Sequence, residues 1–324
     1  MALISEHRYR THWYAKLISA TLALFFFALL STAAFSGFLL YRILSPERIR
    51  TEINPKGFPG HPDVVSFTVP GVGTREAWFF PGLRTAPTIV LCHAYQSNRG
   101  DLLTLVTALQ DHQYNVFLFD FAAHGISPGY STFGYRETLE LRAAIAAISQ
   151  RDDVDRSRFG LWGANLGGYA ALAVAAAEPR VRAIAVDSVY DRPTDMLRLE
   201  IERTGLASVP LVERFARFGF AWLNRSYRHE PPLSQRLSRL AGVPKLYILV
   251  NDDPVLAQST RDLFLRSPEP REQDILPKGN YAACWRMKSG AMRIASSAFS
   301  CSTCPPRPGH TGKSLCICQT RLVP

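Results

Sequence analysis

Short apolar segments alternate with helical segments through most of the chain, and this alternation restricts the fold more than any other feature. Five short, largely apolar segments have the pattern of buried strands, and a sixth strand is predicted after them: 88–92, 115–120, 159–162, 181–186 and 245–250, then 273–276. Apolar residues at helical spacing lie between several of them, at 102–110, 138–149 and 166–177. Strands that alternate with helices predict an α/β fold, with a mostly parallel sheet covered by helices on both faces.

Two segments depart from this alternation. Two β-rich runs between residues 63 and 80 flank a Pro-Gly-Val-Gly turn, which predicts a hairpin. Residues 192–240 are rich in Arg, Leu and Phe and predict two or three amphipathic helices. Such an insertion between late strands predicts a helical lid, and the alternative is extra helical packing with no gating role.

The composition and the position of the charges limit the class of protein. The 324 residues are 47% hydrophobic and 20% charged, which excludes a wholly disordered or collagen-like chain. The net charge of +10 comes from the two ends, because residues 57–285 hold 24 basic and 24 acidic side chains. A basic excess confined to the ends argues against a nucleic-acid-binding core, so we expect no nucleic-acid partner.

An uncharged segment near the N-terminus is long enough to cross a bilayer. Residues 17–40 contain no charged side chain, and about 20 apolar residues span the hydrocarbon core. Lys16 and Arg42 bracket the segment, with Trp13, Tyr14 and Tyr41 at its ends. We therefore expect a single-pass membrane protein anchored in the lipid bilayer through residues 17–41. Basic residues on both sides leave the orientation open, and a cleaved signal peptide or a buried helix is the alternative.

The C-terminal segment 286–324 differs in character from the rest. It contains no acidic residue, and five of the six cysteines fall in the last 41 positions. Cys301, Cys304, Cys316 and Cys318 allow a zinc-site hypothesis, although their spacing matches paired zinc motifs only in part. The interpretation that we favour is a disordered tail, native or produced by a frameshift, with no resident metal.

These patterns predict the following organisation: a basic flank at 1–16, a transmembrane helix at 17–41, a linker at 42–59, an α/β domain at 60–285 with its lid at 192–240, and the tail at 286–324. No Gly-x-Gly-x-x-Gly motif follows a strand and no Walker loop is present, so the sequence predicts no cofactor. The oligomeric state is left open.

Five segments follow the ends of predicted strands: 93–101, 120–127, 163–168, 251–255 and 276–281. Ligands of parallel sheets bind at the carboxyl ends of the strands, so these loops mark the expected site. With these loops in this order, the chain resembles the α/β-hydrolase superfamily, and most closely its serine-aminopeptidase-like or esterase-like branch. The resemblance covers about residues 60–285.

The resemblance implies a catalytic triad in which two of three positions are substituted. The strand-turn-helix motif that presents a serine in the family places Asn165 between Gly163 and Gly167. The acid position corresponds to Asp253, with Asp252 next to it, and the base position is Tyr281. An amide is a poor nucleophile, and a tyrosine with a pKa near 10 is a poor base at neutral pH.

The resemblance also implies an altered oxyanion loop, because His93 is followed by Ala94 where the family has glycine. The backbone N–H groups of Tyr95 and Leu166 are the candidate oxyanion-hole donors. His93 and His124 lie on loops that face the site, and in the family such histidines are usually structural.

Three functional hypotheses follow. The first is a membrane-anchored protein with this fold that lacks ordinary serine hydrolase activity and binds a small apolar or acyl-like ligand or a protein partner. The second is an active carboxylic-ester or peptide hydrolase with a non-standard catalytic set, for which the candidates are His93, Ser97, His124, Ser127, His229 and deamidation of Asn165 to Asp. The third is an interaction platform with no ligand.

Overall fold

A computed structural model describes residues 2–49, 57, 60–251 and 253–276 of the chain. Its strands are β1 (Asp63–Val69), β2 (Gly73–Phe80), β3 (Thr88–Cys92), β4 (Asn115–Phe119), β5 (Phe159–Ala164), β6 (Val181–Asp187), β7 (Lys245–Val250) and β8 (Arg271–Leu276). Its α-helices are α1 (Ala2–Leu44), α2 (Leu103–Asp111), α3 (Tyr135–Ile148), α4 (Leu166–Ala175), α5 (Pro193–Arg203), α6 (Pro210–Leu223), α7 (Leu233–Arg236) and α8 (Pro254–Arg266).

These eight strands form one sheet in the order β1-β2-β4-β3-β5-β6-β7-β8. The predicted hairpin is β1 paired with β2, and β2 is also antiparallel to β4. The pairs from β4 through to β8 are all parallel. Every residue of β3, β4, β5 and β7 is buried, as expected for strands covered on both faces. The prediction of an α/β fold with a mostly parallel sheet is confirmed.

The chain divides into two compact units. One unit combines residues 1–44 with residues 197–228, and the other combines residues 45–196 with residues 229–324. The sheet belongs to the second unit. Within the first unit, α6 packs against the C-terminal end of α1. The segment 192–240 contains α5, α6 and α7, which agrees with the predicted helical content, while its lid role and the domain boundaries remain predictions.

Helix α1 is longer than the predicted span of 17–41. It contains a 32-residue apolar stretch, Trp13–Leu44, which is long and apolar enough to cross a membrane. None of the most apolar part of this stretch is buried. A signal sequence near the N-terminus also meets this criterion of length and apolarity, so the membrane anchor and the cleaved signal peptide both stay predictions.

The start of α3 shows how a buried carboxylate sets a helix boundary. The sequence pattern predicts the helix from residue 138, whereas α3 begins at Tyr135. The Glu137 carboxylate accepts hydrogen bonds from the backbone N–H groups of Thr132 and Gly134 and from the hydroxyls of Ser131 and Thr132. These bonds satisfy donors ahead of the first turn, and apolar spacing carries no signal for them.

A buried ion pair joins the hairpin to this helix. The Arg75 Nε donates to Glu140 Oε1 over 3.0 Å, and both side chains are buried. The other carboxylate oxygen of Glu140 accepts from the backbone N–H of Ala122, in the loop after β4. Burial raises the pKa of Glu140 to about 7, and the adjacent guanidinium opposes this shift. One carboxylate therefore connects β2, α3 and a loop of the expected site.

Replacing Glu140 with glutamine is expected to lower the free energy of unfolding by about 3–5 kcal/mol, because it leaves the Arg75 charge buried without a counter-charge. Denaturant unfolding of the full chain in detergent measures the loss. The double variant Arg75→Met, Glu140→Gln is the matched control and should lose less than the single variant, since it removes the isolated charge. A single variant as stable as the wild type would contradict this account of the pair.

Candidate functional site

Asn165 lies in the tight turn between β5 and α4, at the carboxyl edge of the sheet. Its backbone has φ 50° and ψ −108°, a region that L-residues rarely adopt. Its backbone N–H donates to the carbonyl oxygen of Asp187 at the end of β6 over 2.7 Å. The turn therefore holds a side chain at the sheet edge in a strained conformation.

Two glycines allow the turn to be this tight. A Cβ added to Gly163 would lie 2.4 Å from the carbonyl carbon of Gly167. A Cβ added to Gly167 would lie 2.3 Å from the carbonyl oxygen of Cys92 at the end of β3. No side chain fits at these distances, so both glycines are required by the close approach of α4 to the two strands.

Both polar ends of the Asn165 side chain have partners. The Oδ1 atom accepts a hydrogen bond from the backbone N–H of Leu166 over 2.9 Å. The Nδ2 atom donates to the thioether sulfur of Met196 over 3.7 Å. The N–H of Leu166 is one of the two donors predicted for an oxyanion hole, and the amide of Asn165 occupies it here.

His93 follows β3 and has both ring nitrogens engaged. Nδ1 lies 2.7 Å from the carbonyl oxygen of Ala94, and the backbone N–H of Phe121 donates to Nε2 over 3.0 Å. A carbonyl accepts only, so the proton is on Nδ1 and the ring is neutral. Burial lowers the pKa of His93 to about 4. The ring thus connects two site loops, and neither nitrogen is available to a substrate.

His124 differs from His93 in the hydrogen bonds of its two ring nitrogens. Nδ1 lies 2.8 Å from the carbonyl oxygen of Ala122, whereas Nε2 is buried without a hydrogen-bond partner among the described residues. The ring of His93 lies 5.1 Å away and that of Tyr95 5.6 Å away, centroid to centroid. Burial lowers the pKa of His124 to about 4, and the neighbouring His93 adds to the shift. Its Nε2 is a neutral acceptor.

The remaining predicted site residues are placed as follows. Tyr95 is buried in the loop after β3, with its ring 5.2 Å from that of Phe133, and its oxyanion role stays a prediction. Asp253 follows β7 and caps α8, its Oδ1 accepting from the N–H of Leu256 over 3.0 Å.

Asp252 and Tyr281 lie outside the described residues, as do the cysteines of the tail. Within the described ranges, no group of three His, Cys, Asp or Glu side chains is arranged to hold a metal ion.

The two serines considered as alternative nucleophiles donate to acceptors within their own loops. The Ser97 hydroxyl donates to Asp101 Oδ2 over 2.7 Å, and the Ser127 hydroxyl donates to the carbonyl oxygen of Asp120 over 2.7 Å. Both contacts are typical of turn stabilisation.

Sequence reasoning missed the side chains that fix the site loops. The Asp120 carboxylate accepts from the backbone N–H of Arg99 over 2.7 Å and from that of Ile126 over 3.2 Å. A Cβ on Gly125 would lie 2.3 Å from the Asp120 Cγ, so that loop closes tightly around the carboxylate. An acidic residue that directly ends an apolar strand was the available signal, because a buried carboxylate needs several donors.

The conformation of the turn predicts an unusual order of stability. The free energy of unfolding of the Asn165→Gly variant should be about 1–2 kcal/mol higher than that of the Asn165→Ala variant, because only glycine adopts this backbone without strain. Differential denaturant unfolding measures the gap. The matched pair at the exposed helical position Gln258 should show the reverse order, with glycine less stable by about 0.5–1 kcal/mol. Equal stabilities at 165 would argue against the strained turn.

Comparison with known proteins agrees with this architecture. The profile of the family described as alpha/beta hydrolase fold matches residues 87–231. The uncharacterized protein YfhR of Escherichia coli K12 is 26% identical over 243 residues, covering 72% of this chain and 78% of YfhR. The uncharacterized protein Rv2307c of Mycobacterium tuberculosis is 28% identical over 224 residues, covering 68% of this chain and 72% of that protein.

Solved structures show the same fold. The Pyrococcus furiosus esterase Pf2001 superposes with a TM-score of 0.64 at 18% identity, covering 80% of this chain and 98% of the esterase. The enol-lactonase from Burkholderia xenovorans LB400 superposes with a TM-score of 0.52 at 17% identity, covering 72% of this chain and 99% of the lactonase. The matched profile, the strand order and these superpositions agree that the chain has the α/β-hydrolase fold.

Proposed function

We propose that this chain is a membrane-anchored protein of the α/β-hydrolase fold that binds a small acyl-like ligand and lacks ordinary serine hydrolase activity. The observation that carries the proposal is Asn165 in the strained turn, with its amide oxygen on the N–H of Leu166. In the superfamily this turn presents the nucleophile to the substrate. An asparagine amide in that place neither attacks an ester readily nor leaves the adjacent donor open.

Neither His93 nor Tyr281 is suited to act as a general base at neutral pH. His93 uses both nitrogens in hydrogen bonds to the backbone. Tyr281, at the expected base position, has a phenol whose ordinary pKa is about 10, which makes it a poor proton acceptor at neutral pH. Loss of the nucleophile and of the base together supports a protein that has kept the scaffold without the chemistry.

One observation favours the alternative of an active hydrolase. The Nε2 of His124 is a buried acceptor that has no hydrogen-bond partner among the described residues. A neutral imidazole can take a proton from water or a hydroxyl. Its lowered pKa makes it a weak base, however, and its ring is packed against the ring of His93. We therefore keep this alternative second.

The choice of an acyl-like ligand rests on the chemistry of the retained donor. The N–H of Leu166 is an uncharged donor at the start of α4, where a helix N-terminus favours a carbonyl or carboxylate oxygen. Leu166 and Met196 give the turn a buried apolar border. Similar solved structures are described as an esterase and an enol-lactonase, and esters and lactones share an acyl carbonyl. A ligand oxygen would have to displace the Asn165 amide to reach this donor.

The membrane part of the proposal rests on α1. The core helix of a folded domain buries its apolar side chains, whereas the most apolar part of Trp13–Leu44 is uncovered. Trp13, Tyr14 and Tyr41 are exposed near its two ends, where aromatic side chains of membrane helices meet the headgroups. These features support a single-pass anchor in a lipid bilayer.

The catalytic claim is tested with p-nitrophenyl esters from acetate to octanoate on the full chain in detergent. The wild type should release no nitrophenol above the rate of the Asn165→Ala variant. The double variant Asn165→Ser, Tyr281→His should gain ester hydrolysis, because it restores a nucleophile and a base on the retained turn. Asn165→Ala, Tyr281→His is the matched control. Wild-type turnover that disappears in Asn165→Ala would defeat the proposal.

The ligand claim is tested by calorimetric titration with octanoate. The Asn165→Gly variant frees the N–H of Leu166 and tolerates the turn conformation. Octanoate should therefore bind this variant about 2- to 10-fold more tightly than the wild type, a factor that corresponds to the net free energy of one hydrogen bond. Asn165→Asp keeps the shape of the side chain but places a negative charge there, and it should weaken binding. Equal affinity of all three proteins, or no binding by any, would count against an acyl site at this turn.

A further inference from the structure

Helix α6 carries apolar side chains on two opposite faces. Val212, Ala216 and Phe220 form a buried stripe along one face. Leu211, Phe218 and Trp222 recur at spacings of seven and four residues, so they form a second stripe on the other side of the helix. This second stripe is exposed, by 47%, 71% and 60% respectively. A helix on the surface of a water-soluble protein would carry polar side chains on its solvent-facing side.

The position of α6 next to α1 places this exposed stripe near the end of the apolar span. The two helices pack in the same compact unit, and a Cβ added to Gly219 of α6 would lie 2.9 Å from Leu40 Cδ2 of α1. Leu40 lies at the end of the apolar segment, and the interfacial Tyr41 and the charged Arg42 follow it. In a chain anchored by α1, α6 therefore lies at the depth where the hydrocarbon core meets the headgroups.

The charges around the stripe have the sign that suits anionic headgroups. Arg214, Arg217 and Arg225 are exposed on or just after α6, and Glu213 is the one acidic residue between 210 and 228. The Arg225 guanidinium lies 5.2 Å from the centroid of the Trp222 ring. A tryptophan with a stacked arginine combines an apolar body with a charged tip, the pairing that membrane interfaces favour.

We propose that α6 lies in the surface of an anionic phospholipid bilayer, with Leu211, Phe218 and Trp222 inserted among the upper acyl chains and the arginines at the phosphates. The inference deepens the proposed function and rests on its anchor, α1. It adds a second membrane contact that the anchor alone does not require. The segment 197–228 is thereby held at the bilayer beside the anchor, like an interfacial amphipathic helix.

Fluorescence quenching of Trp222 by nitroxide-labelled lipids tests the proposal on the full chain. The protein is reconstituted in vesicles of phosphatidylcholine and phosphatidylglycerol that carry the label near the headgroup or at the middle of the acyl chain. The difference between wild type and Trp222→Phe isolates the signal of Trp222, and the difference between wild type and Trp13→Phe isolates that of Trp13. The shallow label should quench the fluorescence of Trp222 at least about twofold more strongly than the deep label does. The reason is that an interfacial helix buries its apolar face about 5–10 Å into the boundary between headgroups and acyl chains.

The two tryptophans separate failure of this inference from failure of the anchor. Quenching of the Trp13 signal with no quenching of the Trp222 signal would keep the anchor and overturn the placement of α6. No quenching of either signal would overturn both. A Trp222 signal protected from lipid labels and from aqueous acrylamide alike would mean that a second copy or another protein covers the stripe, which also overturns the proposal.

The arginines provide an independent test with a matched control. Arg214→Gln, Arg225→Gln should reduce the shallow quenching of Trp222 in the anionic vesicles and leave it unchanged in vesicles of phosphatidylcholine alone. Arg261→Gln, Arg266→Gln removes the same number of exposed charges from α8 in the other unit and should have no effect. An equal effect of both pairs would contradict a specific contact of α6 with anionic headgroups.

Discussion

The approach of α4 to the ends of β3 and β5, without any side chain between them, is the constraint on which the site depends. Gly163 and Gly167 allow this approach because neither has a Cβ atom. The chain between them has no room for an ordinary turn. Asn165 is consequently held at φ 50°, and its side chain is fixed at the carboxyl edge of the sheet. The scaffold sets this backbone conformation, so any residue other than glycine is strained at this position.

A layer of buried charged groups holds the loops around this turn. Asp120 fixes the backbone of the loops after β3 and β4, and Glu140 connects the second of these loops to Arg75 of the hairpin. His93 adds a third connection through the N–H of Phe121. These carboxylates and the imidazole form hydrogen bonds with backbone groups of the loops, and Glu140 also pairs with the Arg75 side chain. Asp120, Glu140 and His93 therefore hold the loops around the turn in place.

The sequence was sufficient to predict the fold, because the apolar runs of β3, β4, β5 and β7 have no polar face and only a doubly covered sheet accepts them. The glycines around Asn165 likewise predicted the turn. The contact between the Asn165 amide and the N–H of Leu166 was beyond prediction, since it depends on a rotamer. Helix α8 and the early start of α3 were missed because capping by Asp253 and Glu137 leaves no trace in apolar spacing. Tyr281 lies outside the described residues, so its place beside Asn165 stays a prediction.

The central claim is that no side chain at this site forms a covalent acyl-type adduct. Intact-protein mass spectrometry after incubation with a fluorophosphonate tests it directly, because that reagent phosphonylates an activated serine and leaves an asparagine unchanged. The account predicts an unmodified mass for the wild type and an adduct for Asn165→Ser, Tyr281→His that maps to the turn between β5 and α4. An adduct on the wild-type protein, at Ser97, Ser127 or any other side chain near the turn, would contradict it.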